Sequence, residues 1–132
     1  MVSCAQTEKC MYFLFLDDER VPQQVTWVKS VGAYDSYTWE IVRSFDQFVA
    51  CVQEKGLPEF ISFDHDLGDT HANEKTGHTC AKWLVDYCLD HNAACPLFVV
   101  HSQNPEGARN IHGLLKGFQQ FQNQNLSYKV KP

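Results

Sequence analysis

The sequence predicts an α/β fold in which helices cover a parallel sheet. Short apolar runs, each the length of a buried strand, end abruptly in polar residues, and segments with helical spacing lie between them. Strands that alternate with helices favour parallel β-α units with right-handed crossovers. A chain of 132 residues has room for one core, so we expect residues 1–132 to form one three-layer sandwich domain with about five strands.

Four apolar runs predict the first four strands, and a weaker run near the C-terminus predicts the fifth. Residues 1–10 are polar and are expected to form a flexible lead-in. The segment from Gln23 to Thr38 has no clear pattern and is interpreted as a loop with at most one helical turn. The predicted strands are Met11–Leu16, Trp39–Arg43, Phe60–Asp64, Leu97–Val100 and Ser127–Val130.

Capping residues and helical spacing predict three helices between these strands. Ser44 and Gln47 have the spacing of a capping box at the start of the first helix. The second helix is expected within Thr76–His91, and the third begins where Asn104 precedes Pro105. The residues expected to face the core are Phe45, Phe48, Val49 and Val52, then Cys80, Leu84, Tyr87 and Cys88, then Ala108, Ile111, Leu115 and Phe118.

Composition and charge exclude several classes of protein. The chain is 44% hydrophobic and 13% aromatic, which supplies a globular core and argues against disorder. Its net charge of −5 and its scattered Lys and Arg argue against a duplex nucleic-acid partner. No apolar run approaches the ~20 residues that span a bilayer, and none has a signal-peptide pattern. The six cysteines form no Cys-x-x-Cys pair, and their alternatives are a disulfide framework or free thiols. We expect free thiols and a cytoplasmic protein without a membrane partner.

Polar clusters follow three of the predicted strands at the point where each strand ends. The carboxyl ends of parallel strands meet at one edge of a sheet, where α/β folds place their sites. Several carboxylates in one pocket repel one another unless a divalent cation holds them, and oxygen ligands suit Mg²⁺, Ca²⁺ or Mn²⁺. The clusters are Asp17 and Asp18 after the first strand, Asp64, His65 and Asp66 after the third, and His101 after the fourth.

Each cluster also has a purely structural interpretation. The first acidic pair would then be a solvated turn, Asp64 a carboxylate held by backbone amides, and His101 a satisfied buried histidine. Asn104 and Thr76 would act only as helix caps. The functional interpretation instead places metal ligands at Asp17, Asp18, Asp64 and Asp66, catalytic groups at Asp64, His65 and His101, and phosphate-binding groups at Arg20, Ser102, Asn104 and Thr76.

Four motifs occur in order between Phe13 and Leu115: Leu-Asp-Asp-x-Arg-x-Pro, Ser-Phe-Asp-His-Asp-Leu-Gly, Thr-Gly and His-Ser-x-Asn-Pro-x-Gly. Together they resemble the cyclic-phosphate-processing receiver-like family, which comprises standalone domains frequent in phages and bacteria. The resemblance implies a receiver-like or flavodoxin-like parallel sheet. It also implies metal-dependent hydrolysis of cyclic phosphates on nucleotides or RNA ends.

The same arrangement more distantly resembles response-regulator receiver domains, in which three acidic residues bind Mg²⁺ and one of them accepts a phosphoryl group. An Asp-His-Asp motif, a histidine after the fourth strand and a non-helical first crossover depart from that pattern. These departures argue against a phosphorelay role. By resemblance, the acidic pair would be Asp17 and Asp18, the acceptor counterpart Asp64, the hydroxyl residue Ser102, and the lysine Lys129 or Lys131.

The leading functional hypothesis is a phosphoesterase that uses Mg²⁺ or Mn²⁺ and acts on a small phosphorylated nucleotide or an RNA terminus. Asp64 would be a metal ligand or a covalent nucleophile, and His65 or His101 would transfer protons. The alternative is a non-catalytic receiver-like module that binds or sequesters a phosphorylated nucleotide signal or a protein partner. Recovery of intact ligand after binding would favour the alternative.

Overall fold

The computed structural model of the protein describes residues 12–26, 39–67 and 75–124, and the fold is given for these ranges. They contain four strands, three α-helices and one short 3₁₀ turn. Strands β1 to β4 are Phe13–Leu16, Trp39–Val42, Phe60–Phe63 and Leu97–Val100. Helices α1 to α3 are Phe45–Lys55, Gly77–His91 and Pro105–Gln124, and the 3₁₀ turn is Pro22–Gln24.

The four strands form one parallel sheet in the order β2-β1-β3-β4. The register pairs Leu16 of β1 with Val42 of β2 and with Phe63 of β3, and it pairs Phe63 with Val100 of β4. All four strands therefore end level with one another. The predicted α/β fold with a parallel sheet is confirmed, and the fifth strand predicted at residues 127–130 lies outside the described residues.

The helices begin at the caps that the sequence predicts. The Ser44 hydroxyl accepts a hydrogen bond from the backbone N–H of Gln47, and Thr76 and Asn104 cap α2 and α3 through their side-chain oxygens. The capping box of α1 differs in one respect from the prediction. The Gln47 side chain accepts from the backbone N–H of Arg43, one residue before the cap, and so fixes the end of β2 to the start of α1.

Two apolar clusters pack against the sheet, one on each face. Leu14 and Leu16 of β1 point toward the helices and join the larger cluster, whereas Phe15 between them points to the opposite face. Burial of one large apolar side chain stabilises the fold by ~1.5–3 kcal/mol, so the larger, helix-covered cluster supplies most of the hydrophobic stabilisation. The smaller cluster consists of Phe15, Val25, Trp39 and Val99.

The observed elements differ slightly from the predicted ones. Strands β2 and β3 end at Val42 and Phe63, one residue earlier than predicted, because the chain turns after each of them. Four residues expected to face the core are only partly buried: Phe45, Val49, Tyr87 and Ala108. Besides the fifth strand, three predictions fall outside the described residues: the lead-in at residues 1–10, the start of the first strand at Met11, and the turn or loop between residues 27 and 38.

The described helices and cysteines bear on the predicted environment of the chain. No helix in the described ranges combines the length and the apolar character needed to cross a membrane. Burial raises the pKa of the Cys80 thiol to about 12, so this side chain behaves as a small apolar group. The cysteines found as free thiols in these ranges are Cys51, Cys80, Cys88 and Cys95.

Gly77, the first residue of α2, lies against the end of β3. Its N–H donates to the carbonyl of His65 at 2.8 Å, and a Cβ at this position would overlap the carbonyl oxygen of Asp64. We expect Gly77→Ala to lower the free energy of unfolding by about 1–3 kcal/mol, because the backbone at Asp64 must move to make room. Urea unfolding followed by tryptophan fluorescence measures this change.

The matched control is Gly113→Ala, the same substitution within α3. No atom lies within 4 Å of a Cβ added at Gly113. This variant is expected to be more stable by about 0.5–1 kcal/mol, because alanine favours a helix more than glycine does. If both variants gained stability, α2 would not approach Asp64 as closely as described.

Candidate active site

Three ionisable side chains meet where β1, β3 and β4 end. Asp17, Asp64 and His101 are each the first residue after a strand, and their backbone N–H groups donate to carbonyls of β2, β1 and β3 at 3.2, 3.0 and 2.8 Å. Each offers one potential ligand atom, and these atoms all lie within 4.8 Å of one another. All three residues are buried. The convergence expected at the carboxyl edge of the sheet is therefore present.

Asp17 is held by hydrogen bonds on both carboxylate oxygens. Its Oδ1 accepts from the backbone N–H groups of Glu19 and Arg20, both at 2.8 Å. Its Oδ2 lies 2.9 Å from His101 Nε2 and 3.4 Å from the Arg20 guanidinium. Burial by itself raises the pKa of Asp17, but the hydrogen bonds from His101 and the backbone outweigh burial and hold that pKa well below its usual value. Asp17 is therefore a fixed and ionised carboxylate.

Asp64 is 5% exposed, and its pKa shifts in the opposite direction. Burial and the neighbouring charge of Asp17 raise the pKa of Asp64 to about 6. Asp18 follows Asp17 in the chain, and its pKa is raised, chiefly by burial and also by the charges of Asp17 and Glu19. The site thus holds one readily ionised carboxylate beside two whose ionisation is disfavoured.

The imidazole of His101 lies fully buried behind Asp17. Its Nδ1 lies 2.7 Å from the hydroxyl oxygen of Ser62, and its Nε2 lies 2.9 Å from Asp17 Oδ2. The ring stacks on Phe15 with a centroid distance of 4.7 Å and an angle of 2° between the planes. His101 therefore contacts the acidic group through Asp17.

An open cleft with a volume of about 540 Å³ lies over this edge of the sheet. Its size is within the range of pockets that hold small ligands such as nucleotides (~300–1,000 Å³). The Arg20 guanidinium in the cleft lies 3.3 Å from Oε1 of Gln103 and links the turn after β1 to the loop after β4. The residues lining the cleft are Asp18, Glu19, Arg20, Asp64, Asp66, Ser102, Gln103, Asn104 and Pro105.

A second hydrogen-bond network forms the wall of the cleft next to α3. An oxygen of Asp66 lies 2.9 Å from His65 Nδ1, and Asp66 accepts from the Asn104 amide at 3.3 Å. The hydrogen bond with His65 lowers the pKa of Asp66. Asn104 also accepts from Gly107 N at 3.0 Å, and its own N–H donates to the Ser102 hydroxyl at 3.1 Å. The wall is thereby fixed to the first turn of α3.

The structure brings most of the residues singled out in the sequence to the cleft or directly beneath it. Asp66 lines the cleft but lies apart from the buried group, since its side chain is 62% exposed. Thr76 is not one of the described residues that line the cleft. Its hydroxyl instead accepts hydrogen bonds from backbone N–H groups at the start of α2. Lys129 and Lys131 lie outside the described residues. The predicted residues that line the cleft are Asp18, Arg20, Asp64, Asp66, Ser102 and Asn104.

Comparison with known proteins agrees with this architecture. The sequence profile described as the cyclic-phosphate processing receiver domain matches residues 12–117, which include every strand and nearly all of the helical residues described above. The chain belongs to the cyclic-phosphate processing receiver domain family. The family suggested by the four ordered motifs is thus confirmed.

Other comparisons with this receiver domain add little. A comparison with curated proteins finds no significant match. A solved structure described as a fusion with the yeast Spc42 trimeric coiled coil is 15% identical and covers 89% of this chain and 80% of that chain, with a TM-score of 0.49. That similarity is too low to support an argument about fold or function.

Arg43 supports the site of this receiver domain and was not singled out from the sequence. It follows β2 directly, and its guanidinium donates to the carbonyls of Asp17 at 3.0 Å and of Arg20 at 2.6 Å. These bonds hold the turn that presents Asp17, Asp18 and Arg20. The available signal was its position, because Arg43 lies at the same carboxyl edge as the acidic residues.

Ser62 and Gly107 belong to two of the four motifs, but the sequence analysis gave neither residue a role of its own. Ser62 is a fully buried polar residue within an apolar strand, and that contrast in the run Phe-Ile-Ser-Phe was a usable signal. Gly107 lies in the first turn of α3, and a Cβ there would overlap the imidazole ring of His65. The glycine therefore allows the helix to approach the Asp-His-Asp segment closely.

Proposed function

We propose that this receiver domain is a metal-dependent phosphoesterase that hydrolyses cyclic phosphates of nucleotides or RNA ends. The observation that supports the proposal most is the buried pair of Asp17 and Asp64 at an open cleft that also contains Arg20. The description of the family, cyclic-phosphate processing, supports the substrate class. A net charge of −5 favours a small nucleotide or an RNA terminus over a duplex.

The donor set fits a divalent cation with oxygen ligands. Asp17, Asp18 and Asp64 are carboxylates of one turn and one strand end, and Asp66 lies on the wall of the same cleft. Burial and the charge of Asp17 raise the pKa of Asp64, and a cation among these carboxylates would offset both effects. Mg²⁺ and Mn²⁺ prefer such ligands. When bound, such an ion polarises a phosphoryl oxygen and increases the acidity of a coordinated water.

Arg20 and the first turn of α3 would hold the phosphate of the substrate. The Arg20 side chain is 34% exposed, and its planar group of donors suits two phosphate oxygens at once. Asn104 and Pro105 place the N-terminal end of α3 at the cleft, where the helix dipole favours negative charge. These groups would stabilise charge that develops on the non-bridging oxygens.

Proton transfer is assigned to His65 in this proposal. Asp66 holds the ring through Nδ1, and Nε2 has no hydrogen-bond partner among the described residues. A histidine oriented in this way through one nitrogen can exchange a proton through the other. It would protonate the leaving alkoxide or accept a proton from the attacking water. Asp64 as a covalent nucleophile is a variant of the same proposal.

The proposal is tested by hydrolysis of 2′,3′-cyclic nucleotides, followed by phosphorus NMR. We expect conversion to a nucleoside monophosphate with Mn²⁺ or Mg²⁺, no conversion in excess EDTA, and recovery when the metal is added back. Asp18→Asn should lower kcat/KM by ~100-fold or more, since it removes a charged group from the cleft. Asp86→Asn, the same change at an exposed position of α2, serves as the control and should leave kcat/KM unchanged.

Two outcomes would count against the phosphoesterase. Full activity after chelation would exclude the metal-dependent mechanism. Tight binding of a nucleotide that is recovered intact would instead favour the alternative, a non-catalytic receiver-like module that sequesters a phosphorylated signal. In that case a protein partner would be sought with the nucleotide present and absent.

A further inference from the structure

We infer that His101 is a positioning residue, which orients Asp17 for the cation while Ser62 fixes the far side of the imidazole. The inference rests on the proposed function only in that Asp17 serves as a cation ligand. Ser62, His101 and Asp17 form a continuous hydrogen-bonded chain, with distances of 2.7 Å and 2.9 Å between the bonded atoms. All three residues are 0% exposed. These hydrogen bonds are therefore shielded from solvent.

The direction of these hydrogen bonds follows from the chemistry of Asp17. Its Oδ1 already accepts from two backbone N–H groups, and its Oδ2 faces the Arg20 guanidinium as well as His101. Because every other partner of Asp17 is a donor, the carboxylate accepts from His101, and Nε2 is the nitrogen that carries the proton. A protonated Nε2 has no lone pair for a metal ion, even though one ring nitrogen of His101 lies within 4.8 Å of an oxygen of each carboxylate.

Ser62 completes the arrangement from within β3. A neutral imidazole with its proton on Nε2 has an acceptor at Nδ1, and the Ser62 hydroxyl is the donor at 2.7 Å. Ser62 therefore favours the tautomer that Asp17 requires. Without this hydroxyl, Nδ1 would be a buried acceptor that lacks its partner. The tautomer with its proton on Nδ1 would then be easier to form.

The topology explains why a histidine performs this role. Strand β3 lies between β1 and β4, so a side chain from the end of β4 must cross β3 to reach Asp17. The imidazole of His101 lies against Ser62 of the middle strand and stacks on Phe15 of β1 at a centroid distance of 4.7 Å. Two hydrogen bonds and one stacked face together fix the ring plane.

His101 is also poorly placed to exchange protons with a substrate. It is fully buried, whereas the His65 side chain is 18% exposed. Both ring nitrogens are engaged by Ser62 and Asp17. In many metal sites a carboxylate orients a histidine ligand from behind, and here the histidine orients the carboxylate. Loss of such an outer partner typically weakens metal binding by ~10–100-fold.

The experiment measures Mn²⁺ affinity of the full chain by isothermal titration calorimetry, without any nucleotide. We expect His101→Leu to weaken Mn²⁺ binding by ~10–100-fold and His101→Gln to weaken it clearly less, since the glutamine amide can still donate to Asp17. Ser62→Ala should weaken binding in the parent chain and should have no further effect combined with His101→Leu. That loss of additivity would show that Ser62 acts through His101.

Two results would overturn the inference. Equal weakening by His101→Gln and His101→Leu would make His101 a metal ligand. Unchanged Mn²⁺ affinity in both variants would show that His101 does not orient Asp17 for a cation. Nitrogen-15 NMR of the parent protein is a test that needs no variant to fold. We expect the proton of His101 on Nε2, and a proton on Nδ1 would contradict the inference. None of these measurements needs turnover of a cyclic phosphate, so failure of the proposed reaction and failure of this inference are distinguishable.

Discussion

Replacing Asp64 with Asn should abolish hydrolysis and at the same time stabilise the metal-free protein. The proposed hydrolysis is expected to fall by at least ~10³-fold, because the substitution would remove a charged ligand from the proposed metal site. Burial and the charge of Asp17 raise the pKa of Asp64 to about 6, so holding Asp64 ionised disfavours the folded state. The shift from 3.8 to about 6 corresponds to roughly 3 kcal/mol at neutral pH and above.

The asparagine is a close replacement in every other respect. Asp64 Oδ1 accepts a hydrogen bond from the backbone N–H of His65 at 2.9 Å, and an asparagine Oδ1 can accept the same bond. The expected gain in the free energy of unfolding is therefore about 2–3 kcal/mol near pH 8, decreasing toward zero below about pH 4, where Asp64 is protonated in both states. Urea unfolding of the parent and the variant in EDTA, near pH 8 and below about pH 4, measures the gain in the free energy of unfolding at each pH.

The opposite signs of the two effects make this variant informative. A substitution that inactivates by misfolding lowers stability, whereas this one should raise it. The control is again Asp86→Asn on the exposed side of α2, which should change neither quantity. If the variant lost activity and gained no stability near pH 8, ionised Asp64 would not destabilise the metal-free protein.

The convergence of the site was predictable from sequence because it depends on strand ends. An apolar run that stops at a carboxylate marks the edge of a buried sheet, and parallel strands bring such edges together. The backbone bonds at Asp17, Asp64 and His101 extend the ladder by one residue beyond each strand, which is why three residues distant in the chain lie level. The helix caps at Ser44, Thr76 and Asn104 are local signals and were equally accessible.

The sequence did not predict which residues of the acidic clusters are buried and which are exposed. An extended backbone would place Asp66 beside Asp64, but β3 ends at Phe63 and the chain turns, so Asp66 is 62% exposed. The supporting groups depend on long-range contacts: Arg43 and Asp17 are 26 residues apart, and Ser62 and His101 are 39 apart. No local pattern encodes such pairs, because they follow from the order β2-β1-β3-β4.

The stability of the metal-free protein should fall as the pH rises from about 4 to about 6. In this range Asp64 is ionised in the unfolded chain but still protonated in the folded protein, since its pKa rises from 3.8 to about 6 on folding. The folded state then binds more protons, so its stability decreases with pH until Asp64 ionises in both states. The effect of Asp17 on stability has the opposite sign. Its pKa is lowered on folding, so the ionised carboxylate stabilises the folded protein above the ordinary pKa of an aspartate, and this stabilisation is lost as the pH falls below that value.

In the proposed site the same proton would compete with a metal ion for Asp64. Mn²⁺ affinity should therefore rise by about tenfold per pH unit up to about pH 6 and then level off, because the ligand must release its proton before it binds. Calorimetric titration at several pH values measures this slope, and Asp64→Asn should flatten it while weakening binding throughout. If Mn²⁺ affinity of the parent protein stayed constant between about pH 5 and about pH 7, Asp64 would not be a ligand, because coordination by this carboxylate requires loss of its proton.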